Sequence, residues 1–229
     1  MKQARGFTLI EMAIVMVIVT ILIGGLAMPL SAQIQARRIA ETNKTLEEAR
    51  EAIIGFARTR GGTLYLPCPD TDGDGIENRT TPPDCDAQVG VLPWITLGTG
   101  ERDAWGNHLR YEVDPAFSTQ SGFVQTTPVT SLPLPPLGVC NVSSCASPVP
   151  EIVFVVVSHG PNGSGATNTN GIALPQPTGA DELDNLDANR IYVSHEQTKA
   201  STTSEAFDDL LVWISLSQLI PRACPNGCP

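Results

Sequence analysis

Three groups of residues in this 229-residue chain have types and spacings suited to chemistry. Glu11 is the single charge in the apolar stretch from Phe7 to Leu30. A charged carboxylate in such a run costs about 2.5 kcal/mol or more unless it is paired. No cation stands between Met12 and Leu30 to meet it. Asp70, Asp72 and Asp74 alternate, with Gly75 after the third, as in the first half of a calcium loop. Their carboxylates, the Ile76 carbonyl, and Asn78 or a water would supply the oxygens, and calcium is the one cofactor implied. Thr81 stands where a bidentate glutamate is expected and no helices flank the loop, so an acidic turn held by Asx bonds is the competing reading. The third group is His108, His159 and His195 with Ser158 and Ser194. No serine sits in a G-x-S-x-G elbow, and a chain of this length supplies Ser, His and Asp by chance, so no enzyme is expected.

The element that must position Glu11 is a helix. At about 1.5 Å per residue, residues 7–30 are long enough to span a hydrocarbon core of about 30 Å. Leu30-Ser31-Ala32 is a passable cleavage site, but the run is longer than a cleaved signal core and contains Glu11, which favours a retained anchor. Lys2 and Arg5 before the run face Arg37 and Arg38 after it, so basic residues do not set its orientation. Residues 31–60 continue with helical period: Ile39, Leu46 and Ile53 recur every seven positions, with Thr42, Ala49 and Phe56 between them. Gly24, Gly25 and Pro29 weaken the middle, yet nothing firmly stops one helix of about fifty residues before Gly61-Gly62.

Composition bounds the remainder. A net charge of −10 makes a poor surface for nucleic acid, which is not expected as a partner. Gly 20 and Pro 19 with 17% charged residues describe an ordered, loop-rich domain over 61–229. All six cysteines follow the apolar run, which reads as disulfides in an exported domain. Six cysteines allow about 15 pairings; nearness in sequence suggests Cys68–Cys85, Cys140–Cys145 and Cys224–Cys228. The spacings differ from paired C-x2-C zinc knuckles. Strands are expected at 109–113, 151–158, 190–194 and 210–215, with Glu151–Ser158 buried on both faces. The Pro/Ser-rich stretch 126–150 is expected to be a surface loop that cannot form a central strand. Asp208-Asp209, before the last strand, reads as a solvated cap or a ligand pair.

Gly6-Phe7-Thr8-Leu9-Ile10-Glu11, after a short basic leader and before an apolar helix, resembles the N-terminus of type IV pilins and type II secretion pseudopilins. Asp103-Ala104-Trp105-Gly106 through Tyr111 resembles the D-x-W-G-x-x-x-x-Y signature of the major pseudopilin, there a scaffold turn entering a strand. The resemblance implies an α+β fold, a long N-terminal helix packed on a small antiparallel sheet. It implies a leader of residues 1–6, removed by a prepilin peptidase after Gly6, with Phe7 then methylated. Residues 7–30 would anchor the subunit in the bacterial inner membrane, N-terminus cytoplasmic, and later form a filament core. The new Phe7 amine would be the partner Glu11 lacks, supplied by a neighbouring copy, so that the pairing encodes subunit stagger. Further partners would be other pilins and the inner-membrane assembly platform. The family also binds calcium beyond a glycine-rich loop, but here asparagines stand where acidic ligands are usual. The other class of function is a signal-anchored periplasmic calcium-binding or enzymatic domain that never polymerises.

Overall fold

A single helix, α1 (Leu9–Thr59), opens the chain. The computed structural model describes residues 7–59, 62–124, 126–128, 135–187, 189–198, 206–225 and 227–228; the side chains of 24–29, 58 and 59 also lie outside the description. The helix of about fifty residues expected from the sequence is therefore present, and its expected stop at Gly61-Gly62 falls partly outside the described residues. The chain forms two compact units, Met1–Ala40 and Glu41–Pro229. In the first, apolar side chains from Phe7 to Ile23 stand exposed. Among the described residues, no helix is long and apolar enough to cross a membrane; the stretch 7–30 includes 24–29, whose side chains are not described.

In the second unit, the helical stripe lies where its period placed it. Thr42, Leu46, Ala49, Ile53 and Phe56 are buried, together with Ile54 and Ala57. Thr42 does more than fill the stripe: its Oγ1 accepts a hydrogen bond from Ala104 N–H at 3.1 Å. The opposite face carries the exposed pair Lys44–Glu48, which contributes little, and the half-buried Arg50 pairs with Glu47 beside it.

Among the described residues the sheet has six strands: β1 (Val89–Val91), β2 (Arg110–Val113), β3 (Leu137–Cys140), β4 (Val149–Ser158), β5 (Ile191–Val193) and β6 (Leu210–Ser215). Short helices α2 (Trp94–Leu97), α3 (Pro115–Ser118), α4 (Ala180–Asp184) and α5 (Leu216–Ala223) fill the connections. The expectation of an antiparallel sheet needs correction, because β3 and β5 pair in parallel, Gly138 with Ile191 and Cys140 with Val193. Residues 159–190 separate β4 from β5, long enough for a crossover that a hairpin could not make. The expectation that 126–150 holds no central strand also fails. Its prolines stop at Pro136 and resume at Pro148, and the proline-free Leu137–Cys140 between them has every N–H it needs to sit between β4 and β5.

β4 is the spine. Ile152 pairs with both Leu137 of β3 and Ser215 of β6, while Phe154 pairs with both Val113 of β2 and Ile214 of β6. So β6 runs along one edge of β4, and β3 and β2 share the other edge end to end. Every residue from Ile152 to Ser158 is buried, as the unbroken apolar run required. One face packs Tyr111, Val113, Phe154, Val156, Val212 and Ile214 against the Leu46–Ala57 stripe. The other gathers Leu137, Val139, Ile152, Val155, Val157 and Tyr192.

Where the sheet forks, the ends of β2 and β3 would leave polar groups facing each other. Arg190 occupies the gap, with φ +66. Its Nε meets Glu112 Oε1 at 2.8 Å, Nη2 lies 3.5 Å from Asp114 Oδ2, and Nη1 donates to the Pro135 carbonyl. Tyr192 donates its hydroxyl to Glu112 Oε2. Burial, and the Glu112 carboxylate beside it, push that phenol well above its ordinary range, so it stays a donor. Three disulfides, Cys68–Cys85, Cys140–Cys145 and Cys224–Cys228, close the loops that nearness in sequence suggested. The Asp103 turn is also as expected: its Oδ1 accepts from Trp105 and Asn107 N–H, and Gly106 sits at φ +89.

Arg190→Met should destabilise the folded protein by about 3–5 kcal/mol, because the buried Glu112 carboxylate loses its ion pair. Adding Glu112→Leu should return most of that loss in denaturant titrations. Equal stability of the single and double variants would show that the fork does not depend on this charge pair.

Candidate functional site

The first site is the start of α1. Gly6 lies outside the described residues, and Phe7 is 80% exposed. Thr8 N–H and Thr8 Oγ1 both donate to Glu11 Oε2 at 2.8 Å, and Glu11 N–H donates back to Thr8 Oγ1 at 3.3 Å. This reciprocal arrangement is a capping box, which satisfies two of the N–H groups that every helix start leaves open. Its T-x-x-E signature, Thr8 to Glu11, is present in the sequence. The two Thr8 donors converge on one oxygen, and Oε1 takes neither. The carboxylate is thus held at the helix start with one oxygen remaining for a cation.

A second site forms around Glu182, Asp208 and Asp209, whose carboxylate oxygens lie within 4.8 Å of one another. α4 brings Glu182, which nothing in the sequence linked to the acidic pair across the intervening residues. Asp208 N–H donates to Glu182 Oε1 at 3.0 Å, and Asn162 Nδ2 donates to both Glu182 oxygens at 3.0 and 3.2 Å. Asn185, fully buried, gives one amide hydrogen to Asp209 Oδ2 at 2.8 Å while exchanging two bonds with Val193 of β5. The loop after β4 closes on the cluster through Gly160, at φ +57. A Cβ there would collide with the Asp208 main-chain carbonyl, so the approach needs glycine. Burial, with Glu182 next to it, pushes Asp208 up to about 7, and burial followed by Asp209 raises Glu182. Asp208 Oδ1 and Asp209 Oδ1 are buried without a hydrogen-bond partner, and His159 Nδ1 lies 3.5 Å from the latter.

The residues here fit a hard cation. Three carboxylates converge and offer oxygen ligands, as calcium requires; among the described residues two of those oxygens are buried without a hydrogen bond, one of them facing His159 Nδ1. The Asp70 loop compares differently. Asp70, Asp72 and Asp74 do come together, but Asp70 is buried with Oδ1 accepting from Asp72 and Gly73 N–H and Oδ2 from Gly75 N–H. Asp74 Oδ1 takes Ile76 N–H, and Asn78 Oδ1 takes Thr71 N–H. These are the Asx bonds of the turn reading.

The histidines and serines are dispersed. His108 stacks on Trp94, with ring centroids 4.9 Å apart, and His195 stacks on Phe207 and bonds Asp181. Ser158 Oγ donates to Asp103 Oδ2 at 2.7 Å.

No curated protein and no solved structure is significantly similar to the chain. Residues 1–27 match the family model described as the prokaryotic N-terminal methylation motif. The chain therefore carries the signature of type IV pilins and pseudopilins at its start.

Proposed function

We propose that this protein is a structural, non-catalytic subunit of a type IV pilus or a type II secretion pseudopilus. The observation that carries the reading is the methylation motif together with the Glu11 carboxylate, anchored to Thr8 on one oxygen. Prepilin peptidase cuts between Gly6 and Phe7 and methylates Phe7. Residues 7–30 hold the subunit in the inner membrane, with 61–229 outside the cytoplasm, until the assembly platform extracts it. In the filament, Glu11 Oε1 receives the Phe7 amine of a neighbouring subunit, and Thr8 keeps the carboxylate aimed towards the helix start. The exposed apolar side chains from Phe7 to Ile23 are reburied among neighbouring helices. Calcium, held by Glu182, Asp208 and Asp209, would neutralise a cluster that otherwise stores repulsion beside β6.

N-terminal sequencing of the mature protein should read Phe7 first. A start at Gln33 would identify a signal-cleaved periplasmic domain instead. Glu11→Ala should leave the subunit membrane-inserted but lower its incorporation into filaments at least about tenfold, the ratio that 1.4 kcal/mol represents. Undiminished incorporation would remove the pairing from the mechanism.

The carboxylate cluster gives a pH-dependent test. Asp208 and Glu182 both have folded pKa values raised above the ordinary range, so their contribution to stability is full in acid and falls as pH rises; for Asp208 it is lost as pH rises through about 7. At pH 8, calcium at about a hundred times its Kd should add about 2.7 kcal/mol. That is about 2–4 °C of melting temperature per kcal/mol for a domain of this size. At pH 5 the gain should shrink, because Asp208 then holds a proton that the ion must displace. Asp208→Asn should abolish the calcium response, whereas Asp72→Asn should retain it; the reverse pattern would move the ion to the Asp70 loop.

A further inference from the structure

Asp209 is the most enclosed of the three clustered carboxylates, 2% exposed, and its two oxygens differ. Oδ2 accepts from Asn185 Nδ2 at 2.8 Å. Oδ1 has no hydrogen bond among the described residues and lies 3.5 Å from His159 Nδ1. The terminal torsion of a carboxylate is broad, so a lone Asp209 could turn either oxygen outwards. The Asn185 amide removes that freedom, and it cannot itself be turned round. Its Oδ1 accepts from Val193 N–H at 2.7 Å, and its Nδ2 donates to the Val193 carbonyl at 3.1 Å. A flipped amide would set NH2 against the Val193 N–H and a carbonyl oxygen against the Asp209 carboxylate. Both amide hydrogens and the amide oxygen are in use. Asn185 has no exposed surface, so water cannot take over a bond that it loses. It is also the residue that ends α4, three positions after Glu182, so one short segment brings both a carboxylate and the amide that orients another. Asn162 differs: its N–H reaches Asp208 Oδ2 at 3.2 Å, but the residue is exposed, where water can replace it.

We propose that Asn185 is the positioning residue of the cation site, holding Asp209 Oδ2 so that Oδ1 stays available as a ligand. This rests on the assignment of calcium to Glu182, Asp208 and Asp209 proposed above. Groups that hydrogen-bond a ligating carboxylate set its orientation, and removing one weakens metal binding by about 10–100-fold. Asn189 supplies the comparison within the same strand. Its Oδ1 accepts from Ile191 N–H of β5 at 2.6 Å, while its Nδ2 donates to Asp184 and Asp187, outside the cluster. Losing Asn189 loosens β5 and leaves Asp209 held. Losing Asn185 loosens both.

Calcium titration of the full-length protein in detergent micelles at pH 8, by calorimetry, reads the affinity. Luminescence lifetimes of bound terbium in H2O and D2O count the waters on the ion, which a purely structural role for Asn185 would leave unchanged. Asn185→Leu should raise the calcium Kd by about 10–100-fold. The terbium ion should gain about one water in place of the Asp209 oxygen. Asn189→Ala should leave the Kd and the water count as in the parent. Should the leucine variant not fold, Asn185→Ser carries the same expectations, since a hydroxyl cannot reach Val193 and Asp209 together. Parent-like affinity and hydration in a folded Asn185 variant would overturn the positioning role and leave the calcium assignment standing. Equal weakening by Asn189→Ala would overturn it too, because a loosened β5 would then account for the loss. Absence of calcium binding in the parent, or binding that survives Asp208→Asn, would overturn the calcium assignment and the role of Asn185 with it.

Discussion

The second unit depends on one strand that has no solvent side. β4 is buried on both faces from Ile152 to Ser158 and is flanked along both edges. Everything else is arranged to supply those four surroundings. The stripe of α1 from Thr42 to Ala57 covers one face, and Tyr192 with Leu137 and Val139 covers the other. β6 takes one edge whole. The other edge is divided between β2 and β3, and the division has a physical consequence: two strand ends meet in the interior, where unpaired polar groups are costly. Arg190 resolves it with a guanidinium whose several donors reach Glu112, Asp114 and the Pro135 carbonyl at once. The backbone at Arg190 accepts a left-handed φ to place it there.

Two carboxylate sites stand on this frame and on the helix start, and they illustrate opposite uses of the same group. Glu11 is held by hydrogen bonds that satisfy the helix N-terminus, so its anion is stabilised where it stands. Glu182, Asp208 and Asp209 are pressed together by burial and by a glycine approach at Gly160, so their anions oppose one another. On the function proposed above, the first arrangement would receive an amine from another subunit. The second suits a divalent ion. In the Asp70 loop the buried carboxylate is already occupied by three backbone N–H groups, and the Asp70 main chain pairs with Val91 of β1.

Much of the local structure was legible in the chain. The seven-residue recurrence of Leu46 and Ile53 gave the buried face of α1, since helical period alone decides which side chains share a side. The apolar run to Ser158 gave a doubly buried strand, and the short sequence separations gave the three disulfides. The strand at Leu137–Cys140 was hidden because prolines on both sides dominate its composition, although none falls within it. Thr8 was missed for a simpler reason: a capping box is read backwards from the carboxylate, not forwards.

By itself, the sequence determined the methylation motif, the continuity of α1, the turn at Asp103–Asn107 and the residue types available as ligands. These are properties of neighbours along the chain, set by caps, period and turn chemistry. Only the tertiary structure decided that β3 and β5 run parallel, that Glu182 joins Asp208 and Asp209, and that Arg190 fills the fork. Each of those depends on segments far apart in sequence meeting across β4. Their meeting is fixed by burial and strand pairing, which no local pattern records.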